Sequence, residues 1–169
     1  MHSSFVAILM GSDSDLPLIK LTVDILRSFE IEIEVRILSA HRTPDLLAQY
    51  VEDAQKRGAA VFICAAGLAA HLAGAVASRT VRPVIGIPVD SGPLSGIDAL
   101  CSTVQMPGGI PVATVAIGRA GARNAAYLAA QILALSDPVV EAKLLLDREN
   151  VKTAVIRKND TLEQCFAQR

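Results

Sequence analysis

Four short apolar runs, Phe5–Met10, Ala60–Ala65, Pro83–Val89 and Val112–Ile117, constrain this chain more than any other feature. Of these, Phe5–Met10 and Ala60–Ala65 are unbroken, as in a central strand of a parallel sheet buried on both faces. A further run over 31–38 alternates apolar and polar residues with period two and reads as a half-exposed strand. Between the strands lie segments with apolar residues at helical spacing. They run from Leu16 to about Phe29, from Pro44 to about Arg57, briefly to about Ser78, around Ile97–Thr103, and from about Ala122 to Leu135. Another helix is expected from Pro138 to about Asn150. Strands alternating with helices imply right-handed crossovers and helices on both faces of one sheet.

Five strands fit the order 2-1-3-4-5, which puts the alternating strand at an edge. The expectation is therefore an α/β, flavodoxin-like three-layer fold with a five-stranded parallel sheet and C-terminal helices. It forms a single domain over residues 1–169, with its core at about 4–150 and a more polar tail over 151–169 of uncertain structure. A chain of 169 residues can bury such a core.

The same order brings three loops to one edge, at the carboxyl ends of the strands, where open α/β sheets bind ligands. The first, Gly11-Ser12-Asp13-Ser14-Asp15, offers a flexible turn, two hydroxyls and a helix start, which suits a phosphate or a ribose diol. Ser14 or Asp15 could equally do no more than cap the helix. The second, Ser39-Ala40-His41-Arg42-Thr43-Pro44, joins the edge strand to a helix, with Thr43 placed as N-cap and Pro44 at the first helical position. Arg42 has a fork matched to phosphate, or it pairs with Asp45 at the surface. His41 is a proton donor and acceptor near neutral pH, or a loop histidine bonded to backbone. The third loop, Ala66 to His71, brings a second imidazole that could simply pack among Ala and Leu. His2 lies in an N-terminal overhang and is read as incidental. Taken together, the rim points to an enzyme acting on a small phosphorylated metabolite with His41 as acid and base.

Composition narrows the alternatives. Sixteen basic and 17 acidic residues nearly cancel, and no basic face stands out, so neither nucleic acid nor a membrane surface is an expected partner. The three cysteines lack metal-ligand spacing, and Cys64 reads as a small core residue. The chain enters a strand without a charged-then-apolar leader, which points to the cytoplasm. A mean hydropathy of +0.42 is high for a lone monomer and favours an oligomer.

The motifs Gly11-Ser12-x-Ser14-Asp15, Ser39-Ala40-His41-Arg42-Thr43-Pro44, Ala69-Ala70-His71-Leu72, Val104-Gln105-Met106-Pro107, Ala116-Ile117-Gly118 and Asn124-Ala125-Ala126 follow in this order. Together they resemble the N5-carboxyaminoimidazole ribonucleotide mutase family (PurE) of purine biosynthesis. Arg42 and the Ala-Ala-His-Leu turn are similar to its mutase branch. The branch that carboxylates aminoimidazole ribonucleotide directly with carbon dioxide usually has Lys after the histidine. Leu68 stands where the family often has Gly, and Ala73 where Pro is common.

The resemblance implies a homo-octamer with sites near subunit contacts, no metal and no organic cofactor. It implies His41 as the proton shuttle and Ser12, Asp15 and Arg42 on the ribose phosphate, with Ser14, Ser39, Gly67 and His71 as further substrate-binding candidates. Two rivals stay in view. A flavin-binding carrier wants aromatics against its ring, and Trp is absent. A phosphoryl-accepting receiver needs a carboxylate at the end of the third strand, which instead reads Cys64-Ala65-Ala66-Gly67.

Overall fold

The computed structural model describes residues 4–167, so His2 lies outside the described residues. The elements are β1 (Phe5–Met10), α1 (Leu16–Ser28), β2 (Ile33–Ile37), α2 (Pro44–Arg57), β3 (Ala59–Ala66), α3 (Leu72–Ala77), β4 (Val84–Pro88), α4 (Ile97–Val104), β5 (Ala113–Thr114), α5 (Gly118–Ala134) and α6 (Pro138–Ala167). A short 3-10 turn, Asp13–Asp15, precedes α1. The strands form one sheet in the order β2-β1-β3-β4-β5, parallel throughout, as the apolar runs require.

Every residue of β1 is buried, because alternate side chains enter two different cores. Val6, Ile8 and Met10 join Ile63 and Ile85 beneath α1 and α5, which supply Ile19, Leu26 and the alanines 122, 125, 126, 129 and 130. Ala7 and Leu9 join Phe62 and Cys64 beneath α2 and α3, which supply Leu47, Val51, Leu72 and Val76. The small side chains of α5 let it lie close to α1. There the Thr22 hydroxyl, fully buried, donates to the Ala122 carbonyl at 2.8 Å.

Two expectations need correcting. The fifth strand was expected over 112–117 but has ladder geometry only at Ala113–Thr114, although the Val115 N–H still donates to the Gly86 carbonyl. The first turn of α5 cuts it short. Gly118 turns the chain with φ +67°, and Gly121 then lies against the Ala116 carbonyl, leaving no room for a methyl group. The helix therefore starts at Gly118 and not near Ala122. The second correction is the tail, in which α6 continues without a break for 30 residues, from Pro138 to Ala167. After Pro138 the sequence contains no Gly or Pro to stop a helix. Its first half is packed, through buried Val140, a Tyr127 hydroxyl donating to Asp147 at 2.8 Å, and Lys143 paired with Glu30 at 2.8 Å.

Candidate active site

The first loop leaves β1 at Gly11 and coils at once. The Ser12 hydroxyl accepts from the Ser14 N–H at 3.3 Å, so Ser12, and neither Ser14 nor Asp15, caps the short turn. Asp15 occupies the N-cap position of α1 but makes no side-chain cap bond there. It is buried, and burial pushes its carboxyl above the ordinary carboxylate range, with Asp13 adding to the effect. Hydrogen bonds from the Ser14 hydroxyl and the Ser12 backbone oppose the shift. A buried carboxylate with spare acceptor capacity, facing a cleft, is suited to a ligand's hydroxyl donors.

The second loop closes on itself. The Thr43 N–H donates to the Ser39 carbonyl at 3.0 Å, and the Arg42 N–H donates to the Ser39 hydroxyl at 3.1 Å. The Thr43 hydroxyl accepts from the Ser39 N–H at 3.0 Å and donates to its carbonyl at 3.2 Å. Thr43 thus sits at the N-cap of α2 as expected but turns its side chain back into the loop, making no cap bond. Arg42 reaches across to the first loop, where Nη2 donates to the Gly11 carbonyl at 2.6 Å. No ion pair joins it to Asp45 among the described residues.

The third loop brings His71 to His41. Their rings meet edge to face, with centroids 4.8 Å apart, and His41 Nε2 lies 2.7 Å from His71 Nδ1. Such a contact holds one proton between two nitrogens. His71 is therefore an exposed partner of His41 and does not simply pack among Ala and Leu.

All eight residues singled out from the sequence, Ser12, Ser14, Asp15, Ser39, His41, Arg42, Gly67 and His71, line one cleft of about 390 Å³. That volume is within the range of small-ligand sites. Ser91 and Leu68 line it too. Ser91 went unnoticed in the sequence because it opens a long polar segment. Its signal was position: it follows β4, the neighbour of β3, and so falls on the same rim. The Ser91 hydroxyl occupies the space where a side chain on Gly67 would begin, which explains the glycine. Among the described residues no group of His, Cys, Asp or Glu is arranged to hold a metal ion.

The family model described as AIR carboxylase matches residues 5–154. This chain belongs to the AIR carboxylase family. The match spans every residue lining the cleft and all five strands. An N5-carboxyaminoimidazole ribonucleotide mutase from Thermotoga maritima is 52% identical over 159 residues, covering 94% of this chain and 92% of the relative. The Bacillus subtilis protein of the same name is 51% identical and covers 93% and 97%. Among solved structures, Treponema denticola PurE superposes with a TM-score of 0.85 at 30% identity, covering 94% of this chain and 98% of that one. The two positions singled out from the sequence as departing from the family pattern, Leu68 and Ala73, lie in different surroundings. Ala73 is buried within α3, whereas Leu68 is half exposed on the cleft wall with φ +55°.

Proposed function

We propose that this chain is the isomerase of purine biosynthesis that converts N5-carboxyaminoimidazole ribonucleotide to 4-carboxy-5-aminoimidazole ribonucleotide. The observation that carries the reading is the His41–His71 pair, held at 2.7 Å in a cleft that Ser12, Asp15 and Arg42 also line. Arg42 and the loop hydroxyls take the phosphate, and the Asp15 carboxyl accepts from the ribose hydroxyls. No metal and no organic cofactor enters the proposed reaction.

The chemistry then needs one proton held in place. The bond from the exocyclic nitrogen to the carboxylate carbon breaks, its electron pair stays on nitrogen, and nitrogen gains a proton as carbon dioxide leaves. The electron-rich C4 attacks the carbon dioxide, and the new carbon–carbon bond takes a π electron pair from the ring. Loss of the C4 proton restores aromaticity. His41 donates the first proton and accepts the second, ending as it began, while His71 fixes the ring through the shared hydrogen bond. Holding the intermediate in a cleft walled by Ala40, Ala66, Ala69 and Leu72 makes the second step effectively unimolecular.

The substrate labelled in its carboxylate decides between this reaction and direct carboxylation. With an isomerase, the C4 product keeps most of the label in a large pool of unlabelled bicarbonate. Label diluted to the level of the pool, with efficient use of free carbon dioxide, assigns the chain to the direct carboxylase branch. The proposed working form is a homo-octamer in the cytoplasm, each subunit a single domain. The exposed apolar side chains Val151, Val155, Ile156, Leu162 and Phe166 along α6 support assembly.

A further inference from the structure

Three described non-glycine residues have left-handed backbone, Glu30, Leu68 and Ser95, and of these only Leu68 lines the cleft. A bulky side chain is disfavoured at φ +55°, where glycine meets no such penalty. Core packing does not hold it there, since Leu68 remains 51% exposed. Its side chain instead extends from the third loop onto Gly92, in the segment after β4. A Cβ on Gly92 would strike Leu68 Cδ2, and Gly92 itself has φ +75°. The isobutyl group therefore spans two loops at the rim of the cleft, continuing the apolar wall of Ala66, Ala69 and Leu72. Strain retained at a rim position with no core to fill points to a function.

We infer that Leu68 is the cover that keeps carbon dioxide inside the cleft between its release from nitrogen and its capture by C4. The inference rests on the isomerase reading. Carbon dioxide is small and carries no charge for Arg42 or the histidines to hold, so its retention depends on closing the exit and excluding water. Leu68 bridges the two loops at the rim of the cleft.

The test uses the full-length protein and substrate labelled in the carboxylate, turned over in unlabelled bicarbonate. Leu68→Ala keeps the backbone strain but removes the cover, and Leu68→Gly removes both. In each variant the fraction of label lost to the pool rises severalfold, while KM for the ribonucleotide changes little. Leu68→Met restores most of the retention. Thermal melting separates a structural role, because Leu68→Gly relieves strain and melts no lower than Leu68→Ala while leaking as much label. Parental label retention in both Leu68→Ala and Leu68→Gly overturns the inference and leaves the isomerase reading intact. A parent chain that makes no C4-carboxylated product overturns both.

Discussion

Replacing Arg42 by Lys separates the two roles that its position allows. In the free protein its guanidinium donates through Nη2 to the Gly11 carbonyl at 2.6 Å, and Nε faces the Ser39 hydroxyl at 3.5 Å. The fork therefore ties the second loop to the first and keeps further donors free for a phosphate. A lysine ammonium is a single point on a flexible stem, able to hold the Gly11 carbonyl or meet a phosphate oxygen with less geometric support. The loss is one charge-assisted hydrogen bond to the ligand, worth about 1.5–3 kcal/mol. That corresponds to roughly 10–150-fold weaker nucleotide binding. Because Arg42 makes no ion pair with Asp45, no surface pair is broken to confuse the result. Calorimetry with the ribonucleotide and its dephosphorylated nucleoside provides the contrast. The parent should prefer the nucleotide strongly, Arg42→Lys should lose most of that preference, and both should bind the nucleoside about equally. A parent that binds nucleoside and nucleotide with the same affinity would refute the assignment of Arg42 to the phosphate.

Three further outcomes follow from the same geometry. His41→Asn should keep nucleotide affinity while turnover falls roughly 10²–10⁴-fold, the worth of general acid–base catalysis; near-parental turnover removes His41 from the mechanism. Asp15 has a carboxyl raised by burial, so the native state holds its proton more tightly than the unfolded chain, and stability is lost as pH rises from the ordinary carboxylate value of 3.8 through the raised one. Asp15→Asn should therefore melt higher than the parent at neutral pH, with the gap shrinking towards acid, and lose substrate affinity; a gap that widens on acidification would contradict the burial argument. Thr22→Val removes the buried bond to the Ala122 carbonyl at 2.8 Å, at a cost of about 1 kcal/mol and roughly 2–4 °C of melting temperature. An unchanged melting curve would mean that this contact adds nothing to the packing of α1 on α5.

Much of the architecture was legible in the linear chain because its signals are local. An unbroken run such as Phe5–Met10 has to be covered on both faces, and alternation over 31–38 has to sit at an edge; the observed β2-β1-β3-β4-β5 order satisfies both. Once the order is set, the loops after β1, β2 and β3 share one rim, and the family resemblance then picked out Ser12, Ser14, Asp15, Ser39, His41, Arg42, Gly67 and His71 on those loops, all of which line the one cleft. Helix existence was equally readable, but ends were not. The start of α5 depends on how closely Gly121 approaches Ala116, which no local pattern marks, whereas the length of α6 had a local signal, the absence of any breaker after Pro138, that the more polar composition of the tail masked. The pairing of His41 with His71 was decided only in three dimensions. Thirty positions separate them, and no periodicity specifies that one ring nitrogen will come within 2.7 Å of the other. The same holds for Arg42, whose partner proved to be a backbone carbonyl, a group every residue carries and no sequence marks. Ser91 and Leu68 belong to this class as well. Their significance comes from what lies opposite them, Gly67 and Gly92, and such juxtaposition exists only after the loops have closed on one another.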